Sequence, residues 1–152
     1  MPPEIPSQEI AERLAIHDLL NRYAEMVDGR EWHLLESVFS EGAQLDYTSS
    51  GGVKGDARTV MAWLDRALAP WPINLHCISN IQIHFEGGGA RCRSAFHAPM
   101  ARGEMGAQHV ITNAGYYEDV LVRAPAGWRI RERVCRQTIM QGALPEGYEI
   151  PD

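Results

Sequence analysis

Several features that would fix a function at once are scarce or missing in this chain. Its 152 residues include three cysteines, an odd number without close spacing, so we expect a reducing, cytoplasmic compartment rather than a disulfide framework. No apolar run approaches the ~18–20 residues that cross a bilayer. The start, Met1-Pro2-Pro3-Glu4, lacks the basic and apolar regions of a signal peptide. The sequence therefore predicts a cytoplasmic protein without a membrane partner.

Positive charge is also in short supply. Lys and Arg number 14 against 20 Asp and Glu, a net charge of −6, whereas nucleic-acid binding needs a basic surface. The chain has no glycine-rich phosphate loop and no nucleophile elbow. His76, Cys77 and His109 lack a recognised metal-ligand spacing. We expect no nucleic acid, no cofactor and no metal.

What is present is typical of one globular domain. Hydrophobic residues make up 45% and charged residues 22% of the chain, ordinary values for a soluble protein. A domain of this length buries roughly 68–70% of its unfolded surface, enough for a core with a small pocket. We predict one domain over 1–152, with a core at about 9–138, an arm at 1–6 and a tail at 142–152.

Helical periodicity dominates the first half. Ser7 can cap a first helix that Gly29 ends, and its buried face is predicted by the spacing of Ile16, Leu20, Tyr23 and Val27. A second helix is predicted at about 31–40. Asp56 can cap a third, which Pro70 stops.

From Asn74 onward the apolar pattern has period two, which predicts antiparallel strands at about 75–85, 90–100, 109–122 and 128–139. A short strand at 43–47 precedes the third helix. Helices first and strands last indicate an α+β fold. We expect three N-terminal helices to wrap a cone-shaped, curved sheet around an internal pocket.

Strand alternation assigns side chains to faces. In the last strand it places Arg136 inward with Trp128 and Ile130, and Arg133 outward with Arg129. An inward Arg136 can bind a carboxylate or enolate oxygen, or form a structural salt bridge. In the second long strand Phe96 is expected inside and His97 outside. Alternation leaves open whether His76, or the side shared by Asn113 and Tyr117, faces inward.

Several short segments occur together in a characteristic order. Tyr23 and Asp28 end the first helix, Leu45-Asp46-Tyr47 lies in the short strand, His76 opens a long strand, and Gly127-Trp128-Arg129-Ile130 opens the last one. This order, over roughly 9–138, resembles the SnoaL-like branch of the nuclear transport factor 2-like superfamily. The resemblance implies a cone-shaped α+β barrel around a deep apolar cavity.

The similar members are scytalone dehydratase, bile acid 7α-dehydratase and hexachlorocyclohexane dehydrochlorinase. The resemblance implies that Asp28 pairs with His76, that Tyr23 matches a tyrosine of the bile acid enzyme, and that Tyr47 matches a substrate-binding tyrosine. Arg136 lies near an arginine that some relatives place in the pocket. The second histidine of scytalone dehydratase has only His97 as a counterpart, so the substrate does not carry over.

These residues suit proton abstraction. A neutral His76 is the natural proton acceptor near pH 7, and Asp28 would fix its tautomer. Tyr23 and Tyr47 could donate hydrogen bonds to developing negative charge. We therefore predict a lyase or isomerase that acts on a small apolar, cyclic substrate, and the remaining pocket candidates are Trp63 (otherwise a packing residue), Phe96, Asn113, Tyr117 and Arg136.

Two other functions remain open. One is a non-catalytic binding or assembly module, like a dioxygenase small subunit. The other is an epoxide or ester hydrolase, in which Asn80 and Asn113 are the amides placed to hold water. The arginines predicted on the outer sheet face indicate a homodimer or homotrimer, because relatives associate through that face.

Overall fold

The computed structural model describes residues 4–152, so the predicted arm at 1–6 lies partly outside the described residues. The helices are α1 (Ser7–Asp28), α2 (Leu35–Val38) and α3 (Ala57–Leu68), with short 3-10 turns at Trp32–Leu34 and Thr48–Ser50. The strands are β1 (Phe39–Asp46), β2 (Lys54–Asp56), β3 (Ile73–Asn74), β4 (Cys77–Glu86), β5 (Gly89–Arg102), β6 (His109–Ala124) and β7 (Gly127–Gln141).

The two long helices follow the sequence signals closely. Helix α1 buries the predicted face and ends at Asp28, one residue before Gly29. Helix α3 is capped as predicted, since the Thr59 backbone N–H donates to Asp56 Oδ1 over 2.9 Å. The predicted Ser7 cap is wrong, because Ser7 is already helical and Pro6 occupies the capping position.

The second predicted helix is only partly present. Its last residues form β1 instead, which begins at Phe39 and pairs with β7, starting with Phe39 opposite Ile130. Phe39, Ala43 and Leu45 are buried, so the strand packs the core that an extended helix would leave open. Tertiary pairing outweighs local helix propensity here.

Within residues 4–152, one open sheet contains all seven strands. Its order is β2-β1-β7-β6-β5-β3, and β4 pairs with β5 beside β3. The β1–β7 pair is parallel and the others are antiparallel. The α+β class is therefore confirmed, while the short strands β2 and β3 were not predicted.

A β-bulge in β7 changes which side chains face inward. Leu121 pairs with Ile130 and Val120 pairs with Glu132, so Arg131 is an extra residue on the β7 side. The extra residue reverses the alternation that follows. Arg133 is consequently buried, and Arg136 is exposed. The predicted placements of both arginines are wrong for this one reason.

A second bulge, in β4, displaces Asn80. Ser79 pairs with Ala95 and Gln82 with Arg93, and Asn80 takes a left-handed φ of 50° between them. Asn80 is exposed and does not serve the interior as the hydrolase hypothesis required. Across residues 4–152, no helix is both long and apolar enough to cross a membrane.

Candidate active site

An aspartate at the end of α1 meets a histidine just before β4. Asp28 Oδ1 lies 2.5 Å from His76 Nδ1, and the His76 backbone N–H donates to Asp28 Oδ2 over 2.8 Å. A carboxylate only accepts hydrogen bonds, so Nδ1 carries the proton and Nε2 is the basic nitrogen of the neutral ring. The two contacts fix both the ring tautomer and the backbone that carries the ring.

The pair is largely shielded from solvent. The His76 side chain is 8% exposed and the Asp28 side chain 21% exposed. Nε2 has no hydrogen-bond partner in the part of the chain that the structure describes, and His76 lines the inner cavity. The imidazole is thus oriented from one side and available from the other.

Two tyrosine hydroxyls meet beside the imidazole. Tyr23 Oη and Tyr47 Oη lie 2.6 Å apart, and the Tyr23 ring stands edge-on to His76 at 6.4 Å between centroids. Tyr117 also contacts Tyr23, at 5.5 Å. Burial raises the pKa of all three phenols, well above the ordinary value for Tyr47 and Tyr117. They therefore remain neutral hydrogen-bond donors at any pH near 7.

A buried ion pair lies behind the tyrosines and was missed by sequence reasoning. Arg133 Nε and Nη2 donate to the two carboxylate oxygens of Asp119 over 2.7 and 2.8 Å. The guanidinium carbon lies 4.2 Å from the Tyr23 ring centre and 4.0 Å from that of Tyr117. Burial opposes the charge, but Asp119 raises the pKa of Arg133 well above its ordinary value.

The interior holds two neighbouring chambers. The inner cavity has a volume of about 50 Å³, and its lining includes Tyr23, Tyr47, His76, Phe96 and Tyr117. The outer chamber has a volume of about 290 Å³, and the C-terminal segment forms part of its wall. Both are lined by Ser50, Leu64, Leu68, Met100, Asn113 and Gln137.

The remaining candidates fall into three groups. Phe96, stacked on Tyr117 at 4.6 Å between centroids, and Asn113, whose Oδ1 is buried without a partner in residues 4–152, both line the inner cavity. Trp63 lines the outer chamber only, and its indole N–H donates to the Pro151 carbonyl over 2.8 Å. Arg136 lies outside and donates to Glu118 over 2.8 Å.

Other nucleophiles and ligands contribute little to the site. Cys135 lines the inner cavity, but burial raises its pKa to about 12, so it is a neutral thiol. His97 is exposed, as expected. Among residues 4–152, no three His, Cys, Asp or Glu side chains come together as possible metal ligands.

Comparison with known proteins shows the family of the chain. The SnoaL-like domain family matches residues 8–134. The uncharacterised protein Rv2910c of Mycobacterium tuberculosis is 35% identical over 136 residues, which cover 87% of this chain and 91% of the relative. The chain therefore belongs to the SnoaL-like family.

Solved structures share the fold. A Novosphingobium aromaticivorans protein described provisionally as a scytalone dehydratase matches with a TM-score of 0.73 and 22% identity, covering 93% of this chain and 97% of that one. A type 2 hexachlorocyclohexane dehydrochlorinase, LinA, matches with a TM-score of 0.74 and 18% identity, covering 92% and 97%. At these identities the likeness establishes the common architecture.

Proposed function

We propose that this protein is a cofactor-independent lyase or isomerase acting on a small apolar, cyclic substrate. The observation that carries the proposal is the contact between Asp28 and His76. It uses Nδ1 of the imidazole and leaves Nε2 free to accept a proton from a substrate. His76 takes a proton from a carbon next to an activating group. Asp28 holds the imidazole and stabilises the imidazolium that forms. The relatives named as a dehydratase and a dehydrochlorinase support an elimination.

The tyrosines supply hydrogen-bond donors for the negative charge that develops on the substrate. Proton loss places negative charge on a carbonyl oxygen or a leaving group, and neutral phenols are suited to donate hydrogen bonds to it. Their mutual hydrogen bond, 2.6 Å between oxygens, means that Tyr23 and Tyr47 act as one unit. Arg133, paired with Asp119, packs against the Tyr23 ring from outside the cavity.

The size of the chambers limits the substrate. The inner cavity of about 50 Å³ has room for one or two waters, since a water occupies about 30 Å³. A ring must therefore extend into the outer chamber of about 290 Å³, close to the lower end of known ligand pockets. We expect a substrate of one or two small rings, with its acidic C–H at the inner end.

Proton exchange tests the proposal before a substrate is known. Small cyclic ketones and enones are incubated in D₂O, and loss of the acidic C–H signal is followed by NMR. Removal of the base is expected to slow exchange by roughly 10²–10⁴-fold in His76→Gln, and Asp28→Asn should slow it as well. Arg136→Gln, on the outer face, serves as the control. Exchange that is equally fast in wild type and His76→Gln would refute the proposal.

A second candidate function is a non-catalytic binding or assembly module. The observation that favours it is the small volume of the inner cavity. A thermal-shift screen with cyclic alcohols and enones separates the two. Ligands that stabilise wild type and His76→Gln alike, together with no proton exchange, would favour the binding module over the enzyme.

A further inference from the structure

Arg30 lies two residues after Asp28 and binds the chain at three points. Its Nη1 donates to the Val27 carbonyl over 2.8 Å, and its Nη2 donates to the carbonyls of Leu68 and Trp71 over 3.1 and 3.0 Å. One guanidinium thus ties the end of α1 to the turn that follows α3. Arg30 lines neither the inner cavity nor the outer chamber.

The backbone at Arg30 is unusual for its residue type. Arg30 has a φ of 56°, in the left-handed region, while the neighbouring Gly29 has an ordinary φ of −85°. A non-glycine residue remains in this region when its surroundings hold it there. Burial lowers the pKa of Arg30, and the negative charges of Asp65 and Asp28 act in the opposite direction. The partly desolvated guanidinium therefore forms its hydrogen bonds with backbone carbonyl oxygens.

The carbonyl of Trp71 connects Arg30 to the imidazole. It also accepts a hydrogen bond from the Asn74 side-chain amide. Two residues later, the His76 backbone N–H donates to Asp28 Oδ2 over 2.8 Å. The contacts form a closed ring from Asp28 along the chain to Arg30, across to Trp71 and Asn74, and back through His76. Asp28, the last residue of α1, and Arg30, two residues beyond it, therefore both contact the segment that leads into β4.

We propose that Arg30 is a positioning residue for the Asp28–His76 pair. By holding the Leu68 and Trp71 carbonyls, it sets the path of residues 71–76, and this path decides whether the imidazole reaches Asp28 Oδ1. The consequence for catalysis rests on the proposed function, but the geometric claim depends only on these contacts. An arginine is required because its fork can serve three acceptors at once, which an ammonium on a lysine stem does not do at fixed geometry.

The test observes the His76 ring directly. Protein labelled with ¹⁵N-histidine has six histidines, and the low-field Nδ1–H signal bonded to Asp28 is assigned by its absence in His76→Gln. The variants are Arg30→Met, which keeps the stem, and Arg30→Lys, which keeps the charge. The matched control is Arg22→Met, on α1, whose guanidinium also donates to a backbone carbonyl, that of Ser37, over 3.1 Å.

We expect the Nδ1–H signal to be lost by exchange with water in Arg30→Met, weakened in Arg30→Lys and unchanged in Arg22→Met. The wild-type signal retained in both Arg30 variants would overturn the proposal. If Arg30→Met does not fold, Arg30→Lys decides alone. This measurement needs no substrate, so it is independent of the proposed activity. If the Nδ1–H signal is lost in Arg30→Met while the wild-type protein exchanges no substrate proton in D₂O, the positioning role is supported and the proposed activity is rejected.

Discussion

At the scale of single residues, we expect the largest loss of stability when one partner of the buried Arg133–Asp119 ion pair is replaced. Both side chains are 0% exposed, and both guanidinium contacts to the carboxylate are good hydrogen bonds. A buried pair of this kind gains little net stability over apolar residues, but losing one partner leaves an uncompensated charge in the interior. Arg133 also packs against Tyr23, so its loss would reach the proposed site.

Arg133→Met is expected to lower the free energy of unfolding by about 3–5 kcal/mol, because it leaves Asp119 buried and unpaired. Urea unfolding measures this change. Arg136→Met is the matched control, since Arg136 also pairs with a carboxylate across β6 and β7 but is exposed, and such surface pairs contribute about 0–1 kcal/mol. Equal losses of unfolding free energy in Arg133→Met and Arg136→Met would contradict the expected difference between the buried and the exposed pair.

The pairing of Asp28 with His76 was predicted from the resemblance to the SnoaL-like family, because strand alternation left the orientation of His76 open. The structure brings the two side chains into contact, Asp28 at the last position of α1 and His76 just before β4. The inward and outward placements of Arg133 and Arg136 were predicted the wrong way round, because strand alternation assumes an uninterrupted ladder. The bulge at Arg131 arises from how β7 pairs with β6, and no pattern within either strand reveals it.

At the scale of elements, the C-terminal segment 143–152 covers the outer chamber. Tyr148 Oη donates to the Ala67 carbonyl over 3.1 Å, and Ile150 packs where Gly51 has no side chain, 2.8 Å from the place a Cβ would occupy. Leu144, Tyr148 and Ile150 form part of the chamber wall. The segment anchors to α3, through Ala67 and Trp63, and to the turn after β1.

Deleting 143–152 is expected to open the outer chamber, because three wall side chains are removed. Binding of an apolar fluorescent dye such as ANS should increase, and the thermal midpoint should fall. Deleting only Asp152 is the control, since it removes a backbone acceptor of Arg66 but none of the wall. Dye fluorescence that stays at the wild-type level after the longer deletion would show that the chamber is closed by other residues.

Elements were predictable in proportion to their local signal. Helices α1 and α3 have apolar periodicity with marked ends, and the four long strands have alternation. In β1 the alternation predicted the part from Ala43 onward, but its first residues, from Phe39, have no such signal, because their state is decided by a partner strand near the other end of the chain. Strands β2 and β3 are only three and two residues long, too short for periodicity.

At the scale of the whole molecule, the outer sheet face is the surface proposed for self-association. It contains a depression of about 500 Å³ whose rim has charges of both signs, including Arg91, Arg93, Glu118 and Glu132. Val134 lies among them. A surface with both signs can pair with its own copy across a two-fold axis.

We expect a homodimer or homotrimer, so the mass in solution, measured by light scattering, should be two or three times the chain mass of 17.0 kDa. Val134→Lys should shift the mass toward one chain, because it places a new charge in the middle of the proposed contact. Leu14→Lys, at an exposed position on α1, should leave the mass unchanged. A wild-type mass of a single chain would reject the association.

The parallel pairing of β1 with β7 also has a consequence for how the protein is made. β1 finds its partner only after Gly127–Gln141 has left the ribosome, and the inner face of α1 packs on the same late strand. The nascent helices therefore emerge with their apolar surfaces uncovered, and the contacts of β1 and α1 with β7 close last, across the stretch of chain that separates Phe39 from Ile130. Such a topology folds slowly and exposes the unfinished chain to aggregation, so yield in the cell should depend on chaperones and on growth temperature.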